Sequence, residues 1–290
     1  RMEQFDISEE ALRPYFPASR VFLGLFALTE RLYGLRIEED HTASVWRDGV
    51  KFFLVYDRTG ALRGGFYADL YAREKKRGGA WMDDCVARRV IPEIGTQLPI
   101  AYLNCNFVAP KDSEEGYLVH SEIETLFHEA GHMFHHVLGL SRYLGSSMSH
   151  VEWDAIECPS QLLEYWCWEK DVLQELSAHR ETGAPLPAEL CERLKRAKNF
   201  GSGMASVRQL EFAITDMELH AKEGADPRTP RDVLSAVRAR VRVTPVYSND
   251  RFLNSFQHIF SGGYAAGYYS YKWAEVLAAD LYEAFLEDGG

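Results

Sequence analysis

The chain has 290 residues with 46% hydrophobic and 26% charged side chains, which is typical of a folded globular protein and argues against disorder. Its formal net charge is −11 and its 32 lysines and arginines are scattered, so nucleic acid is excluded as an expected partner. Five cysteines without C-x-x-C spacing favour free thiols over a disulfide framework or a cysteine zinc site.

Neither a signal peptide nor a membrane span is evident in the sequence. The longest apolar stretch, near the C-terminus, is interrupted by Lys272, Glu275 and Asp280. We therefore expect a soluble, cytoplasmic protein with no membrane partner. The sequence begins at Arg1 and its last periodic segment runs almost to Gly290, so we interpret it as a fragment of a longer protein.

The first half of the chain predicts one helix and a small sheet. Hydrophobic residues recur at helical spacing over 16–35. Between 43 and 71, two apolar runs flank turn residues at 57–60, and this arrangement predicts a β-hairpin. The alternating segment 99–107 suits a half-buried strand that could join the hairpin.

The second half of the chain predicts helices separated by Gly, Pro, Ser or Asn clusters. Ser121 and Glu124 match an S-x-x-E capping box, which predicts where the first of these helices begins. We expect a fold that is mainly α with a small β-sheet (α+β), forming one domain over 1–290. The predicted helices are 121–140, 155–176, 187–200, 204–222, 230–241 and 264–286.

An H-E-x-x-H motif is formed by His128, Glu129 and His132. Residues i and i+4 of a helix share one face, so the two imidazoles can bind one metal ion, at about 2.0 to 2.1 Å for zinc. Glu129 can take a proton from a metal-activated water and pass it to the leaving amine, which is amide hydrolysis. The same motif also arises by chance in roughly a few per cent of chains of this size.

A catalytic zinc requires a third protein ligand and an open coordination position. Glu157 and Glu164, on a second predicted helix, are the candidate ligands. A ligating histidine usually donates its other ring N–H to a carboxylate or carbonyl, and Asp154 could accept it or cap the helix instead. His135 and His136 lack ligand spacing to the motif, so we expect neither to bind metal.

Segments 125–136 and 151–161 resemble the thimet oligopeptidase family of zinc metallopeptidases in order and spacing, and 74–85 extends the resemblance. In that family the glutamate before the hydrophobic-Pro-Ser-Gln run is the third zinc ligand. The resemblance therefore assigns this role to Glu157 and implies one Zn²⁺ per chain, bound with His128 and His132.

A glycine–tyrosine segment over 256–271 carries a second part of the resemblance. Tyr264, Tyr268 and Tyr271 recur at i, i+4 and i+7, which would place them on one helix face, although such a stripe is more often core packing. The resemblance implies that Glu129, His258 and Tyr268 are catalytic, Tyr268 as oxyanion donor. It also implies substrate contacts from Tyr264, Tyr271, Gly262 and Gly263.

The resemblance further implies a zincin-like fold and an N-terminal helical region that closes a deep channel and that this sequence lacks. We expect an endopeptidase acting on short oligopeptides. Two alternatives stay open: a fragment that holds metal without turnover, and an enzyme of the same family that removes C-terminal dipeptides. The second would require a cationic group that recognises the substrate carboxylate.

Overall fold

The computed structural model describes residues 2–110, 115–221, 224 and 227–288. The helices are α1 Met2–Phe5, α2 Glu9–Leu12, α3 Ala18–Tyr33, α4 His120–Leu138, α5 Cys158–Glu164, α6 Lys170–Glu175, α7 Ala188–Ala197, α8 Ser202–His220, α9 Pro230–Val241, α10 Phe252–Ser255 and α11 Ser270–Glu287. The strands are β1 Arg36–Glu39, β2 Lys51–Tyr56, β3 Leu62–Tyr71, β4 Trp81–Val86, β5 Arg89–Ile91, β6 Gly95–Gln97 and β7 Ile100–Phe107.

Five strands form a mixed sheet in the order β1-β2-β3-β7-β4. The predicted hairpin is confirmed, because β2 and β3 pair antiparallel with Phe53 opposite Phe66. The predicted strand at 99–107 is confirmed as β7, which pairs parallel to β3 and antiparallel to β4. Strands β5 and β6 form a separate two-stranded sheet. The expectation of a mainly helical α+β fold with a small sheet is therefore confirmed.

Helix α4 is positioned by apolar packing along its buried face. Ile123, Leu126, Ala130, Met133 and Val137 are completely buried, at the spacing of one helix face. The helix contacts β7, whose alternate side chains are also buried. Because each fully buried large apolar side chain contributes about 1.5–3 kcal/mol, this packing holds the helix against the sheet.

The start of α4 differs from the prediction. The helix begins at His120, and the Val119 N–H donates to Glu122 Oε2 at 2.9 Å. The predicted Ser121–Glu124 capping box is therefore wrong. Glu124 instead accepts a hydrogen bond from Trp168 Nε1 at 2.8 Å, a tertiary contact that local sequence signals do not reveal.

Two other predicted helices are wrong in extent. The segment 155–176 divides into α5, a 3₁₀ turn at Tyr165–Trp168 and α6, because Glu169 has an extended backbone. The segment 264–286 becomes helical only at Ser270, after a turn in which Ala266 has φ +55°. In contrast, α9 has the predicted bounds, α3 lies within 16–35, and α7 and α8 end within two or three residues of prediction, with Lys222 outside the described residues.

Backbone contacts divide the chain into two compact units. Unit 1 comprises Arg1–Val151, Pro159–Lys198 and Leu281–Gly290, and it contains the five-stranded sheet and α4. Unit 2 comprises Glu152–Cys158 and Asn199–Asp280. Its core is formed by Phe212, Ile259 and Tyr268, with further aromatic side chains packed around them.

The helices within the described ranges differ from membrane-spanning helices. None of these helices combines the length and the apolar character that a bilayer span requires.

Candidate active site

The H-E-x-x-H motif lies in the middle of α4. The ring centroids of His128 and His132 are 5.0 Å apart, as expected for side chains one helical turn apart on the same face. Glu129 is 6% exposed. Burial, followed by the charge of Glu129, raises the pKa of the Cys105 thiol on β7, so this carboxylate lies within electrostatic reach of the sheet.

Gly131, inside the motif, lets α5 approach α4 closely. A Cβ atom at this position would lie 2.6 Å from both the Pro159 carbonyl oxygen and Ser160 Cα, which is too close for any heavier side chain. Glu157 directly precedes Cys158, the first residue of α5. The main chain therefore leads from Glu157 directly into the helix that packs against Gly131.

His128, His132 and Glu157 form a group that could hold a metal ion. Among the residues that the structure describes, they offer two ring nitrogens and one carboxylate oxygen within 4.8 Å of one another. Glu157 is 1% exposed, so its carboxylate is buried. Two imidazoles and one carboxylate are a donor set that suits a catalytic zinc ion with an open coordination position.

Glu164, the other candidate ligand, contacts a histidine instead. Its Oε1 lies 2.6 Å from His128 Nδ1. Since a carboxylate accepts hydrogen bonds, Nδ1 carries the hydrogen and Nε2 keeps its lone pair for a metal. The Asp154 Oδ2 accepts a 3.4 Å hydrogen bond from the Tyr269 hydroxyl, and Asp154 does not cap α5, which begins at Cys158.

The two histidines that follow the motif have other surroundings. His136 Nε2–H donates to the Val86 carbonyl at 3.0 Å and so ties α4 to β4. His135 lines an apolar cavity together with Tyr33 and Phe134. Neither residue belongs to the group of possible metal ligands found among the described residues.

The predicted tyrosines come together in unit 2, although not on one helix face. Tyr264 and Tyr268 lie in the turn before α11, and Tyr271 lies in its first turn. The Tyr271 ring is stacked on Tyr264 at 5.0 Å and lies 5.1 Å from Tyr268. The His258 ring lies within 6.4 Å of all three. The predicted helix face is wrong, but the four side chains do form a cluster.

Hydrogen bonds orient two of these tyrosines. The Tyr264 hydroxyl donates to Glu157 Oε1, and the Tyr268 hydroxyl donates to Gln209 Oε1 at 2.9 Å. Burial raises the pKa of Tyr268 to about 12, and the charge of Arg208 acts in the opposite direction. The Tyr268 hydroxyl is therefore a protonated hydrogen-bond donor throughout the neutral and mildly alkaline range.

The glycine turn before these tyrosines is closely packed. A Cβ atom at Gly262 would lie 2.6 Å from His258 Cα, and Gly263 has φ +91°, which favours glycine. At Gly267 a Cβ would lie 2.7 Å from Trp153 Cδ1, so this turn fits against an indole.

Three contacts of the predicted site residues were not predicted from the sequence: Glu164 beside His128, Gln209 beside Tyr268, and Asp216, which accepts main-chain hydrogen bonds from the tyrosine turn. The sequence could have indicated Asp216, because this carboxylate is four residues after Phe212 and so lies on the same face of the predicted helix as an apolar residue.

Comparison with known proteins agrees with these observations. The model of peptidase family M3 matches residues 1–290. The chain is 48% identical to oligopeptidase A of Escherichia coli K12, covering 98% of this chain and 42% of that protein. Two proteins of Arabidopsis thaliana match over all of this chain. The chain is 44% identical to a probable cytosolic oligopeptidase A, of which it covers 42%. It is 46% identical to an organellar oligopeptidase A, of which it covers 37%. Dipeptidyl carboxypeptidase of Escherichia coli K12 is 34% identical, with 100% of this chain and 43% of that protein covered.

The chain thus spans about two fifths of the length of these curated relatives. Because the two Arabidopsis proteins are named for different compartments, the cytoplasmic location stays a prediction.

Proposed function

The chain belongs to peptidase family M3, and from that premise we propose that it is the catalytic part of a zinc-dependent endopeptidase that hydrolyses short oligopeptides. The observation that carries the proposal is the grouping of His128, His132 and Glu157 next to the buried Glu129. The relatives named oligopeptidase A support peptides as the substrate class. We further propose that the fold is zincin-like.

His128, His132 and Glu157 would hold the zinc ion, with Glu164 fixing the hydrogen of His128 on Nδ1. A bound zinc ion would supply Lewis acidity, which lowers the pKa of water toward about 7 and polarises a peptide carbonyl. Glu129 would then act as general base, taking the proton of the attacking water on its carboxylate and delivering it to the leaving nitrogen.

The tyrosine cluster would serve the substrate. We propose Tyr268 as the donor to the oxygen that becomes negative in the transition state, and His258 as a second catalytic group. Since the Tyr268 hydroxyl has one hydrogen, it must leave Gln209 to donate to a substrate. The supporting observations are its protonated state and its ring contacts with the cluster. Substrate contacts are proposed for Tyr264, Tyr271, Gly262 and Gly263.

A second candidate function is removal of C-terminal dipeptides, which is favoured by the 34% identity to a dipeptidyl carboxypeptidase. The Arg208 side chain is 38% exposed, its charge acts on Tyr268, and it is paired at 2.6 Å with the buried Glu211. It is a cation that could recognise a substrate carboxylate while it shares its charge with Glu211. Peptides with free and amidated C-termini separate the two functions. Equal cleavage rates support the endopeptidase, whereas loss of cleavage on amidation supports the alternative.

Metal content and hydrolysis of an internally quenched peptide test the proposal on the parent chain and on Glu129→Gln. The variant should retain zinc, because Glu129 is not among the grouped ligands, and should lose about 10²- to 10⁴-fold in kcat with its general base. Glu192→Gln, an exposed position on α7, is the matched control and should behave as the parent. Equal activity of the parent and Glu129→Gln would contradict the mechanism, and zinc binding without turnover in either would support a metal-holding fragment.

A further inference from the structure

One face of α8 contacts the segment that precedes α11. Gln209, Phe212, Asp216 and His220 follow one another at intervals of three, four and four residues, so they share a helix face. Gln209 accepts from the Tyr268 hydroxyl, and the Phe212 ring centroid lies 5.7 Å from that of Tyr268. The His220 ring lies 5.8 Å from Phe260, at the beginning of the same segment.

Asp216 makes the central contacts of this face. It is completely buried, its Oδ1 accepts from the Ala266 N–H and its Oδ2 from the Tyr268 N–H, both at 2.9 Å. His220 Nδ1–H donates to the same Oδ1 at 2.8 Å. A buried carboxylate is tolerated only when donors surround it, and here two of the three donors are main-chain amides of a single turn.

The turn needs such a partner because its backbone is unfavourable by itself. Ala266 has φ +55°, in the left-handed region that alanine rarely adopts. The amides on either side of Gly267 point to the two oxygens of one carboxylate, and this arrangement holds the left-handed residue in place. Without the carboxylate, these two N–H groups would lose their acceptors. The turn would then keep only its own main-chain hydrogen bonds, from the Gly267 N–H to the Tyr264 carbonyl and from the Ser270 N–H to the Gly267 carbonyl.

These contacts hold the main chain of Tyr268 independently of its hydroxyl. The hydroxyl must leave Gln209 when it donates to a substrate, whereas the hydrogen bond from the Tyr268 main-chain N–H to Asp216 can stay intact throughout. The side chain can therefore change its hydrogen-bond partner while its Cα position is preserved. Positioning to within a fraction of an ångström is what a preorganised oxyanion donor requires.

We propose that Asp216 is a positioning residue for Tyr268, which acts by holding the 266–268 backbone from α8. This inference rests on the proposed function, since it gives Asp216 a role in catalysis through Tyr268. The competing interpretation is that Asp216 only stabilises the core of unit 2 and has no specific effect on Tyr268.

Amide hydrogen exchange tests the contact without reference to activity. In Asp216→Asn, one carboxylate oxygen is replaced by an N–H₂ group that cannot accept, so the peptide covering 264–269 should exchange faster than in the parent. Glu218→Gln, on α8 and paired with Arg228 and Arg240 instead, removes the same charge and should leave exchange over 264–269 unchanged. Unchanged exchange in Asp216→Asn would overturn the inference.

A double-mutant cycle tests the catalytic role. With zinc content unchanged, Asp216→Asn should lower kcat about 10- to 100-fold with a small change in KM. This is less than the roughly 10²- to 10³-fold loss for complete removal of one oxyanion donor, because the Tyr268 hydroxyl is displaced rather than removed. In a Tyr268→Phe background the same substitution should lower kcat less than about 3-fold, because the group that it positions is already gone. Equal losses in the two backgrounds would show a merely structural role and overturn the inference.

A second variant keeps the test valid if Asp216→Asn is poorly folded. Ala266→Gly keeps the main-chain N–H that donates to Asp216 and relieves the left-handed backbone, so its own kcat is measured as the reference for a second cycle. When Ala266→Gly is combined with Asp216→Asn, the double variant should recover part of the kcat that Asp216→Asn loses. The cycle of Asp216→Asn with Tyr268→Phe is then measured in the Ala266→Gly background. No recovery in a folded double variant would count against the inference.

If the parent itself hydrolyses no peptide, the proposed function fails and the role of Asp216 fails with it. If the parent is active, the kcat of the Asp216 variants tests the role of Asp216 alone.

Discussion

The carboxylate of Glu164 lies 2.6 Å from Nδ1 of His128, one of the three residues proposed to hold the metal. The hydrogen on Nδ1 leaves Nε2 as the nitrogen that can bind a cation, and the charge of the carboxylate makes the imidazole a stronger ligand. We therefore expect Glu164, which contacts a proposed ligand without being one, to influence how tightly the site binds metal.

Glu164→Gln should weaken zinc binding by about 10- to 100-fold, because the amide keeps the shape of the side chain but loses its charge. Competition with a chelator of known affinity measures the change. Glu192→Gln is the control for charge alone and should bind zinc as the parent does. Parent-like affinity in Glu164→Gln would show that the contact with His128 has no effect on the metal.

Gly131→Ala should destabilise the fold and lower zinc content, because its Cβ would lie 2.6 Å from Pro159 O and Ser160 Cα. Overpacking of this kind costs about 1–3 kcal/mol, and displacement of α5 would also move Glu157 and Glu164. Thermal unfolding and metal analysis of the same sample measure both effects.

Gly203→Ala is the matched control for that substitution. Gly203 lies in α8 with nothing within 4 Å of an added Cβ, so the change should leave stability equal to the parent or raise it by up to about 1 kcal/mol. If the two variants unfold at the same temperature, the close approach of α4 and α5 does not constrain the motif.

The pH dependence of kcat/KM should not report Tyr268 below about pH 11. Burial raises the pKa of this hydroxyl to about 12, so the protonated donor form is retained as pH rises and is lost only above that value. Profiles of the parent and Tyr268→Phe between pH 6 and about pH 10 should therefore be parallel, with the variant about 10²- to 10³-fold lower. An alkaline decline in the parent that is absent from Tyr268→Phe would contradict this assignment.

Alkylation of the native protein should label Cys85 first. Cys85 is exposed, whereas Cys105 and Cys167 are buried, and burial raises the pKa of both buried thiols, so little reactive thiolate forms. Iodoacetamide followed by peptide mapping measures the order. All five cysteines should react in denaturant, because they are free thiols. Early labelling of Cys167 in the folded state would show that its surroundings open.

The outcome for individual elements shows why some predictions were successful and others were not. The helix Pro230–Val241 has the predicted bounds, and the structure shows that local features define its start, since Thr229 caps it and proline opens it. The segment 155–176 was predicted as one helix from its periodicity, yet it is broken at Glu169, whose side chain accepts from Tyr282 across 113 residues. Long-range contacts of this kind have no signature within a short window of sequence.

The sequence by itself determined the motif helix, the hairpin and the identity of the grouped residues His128, His132 and Glu157, because spacing along one helix and a recognisable order of residues carry that information. Only the tertiary structure decided which carboxylate faces His128, which helix holds the tyrosine turn, and why Gly131 must lack a side chain. These relationships join residues that are far apart in the chain, and they arise from close packing and from the need of buried polar groups for partners.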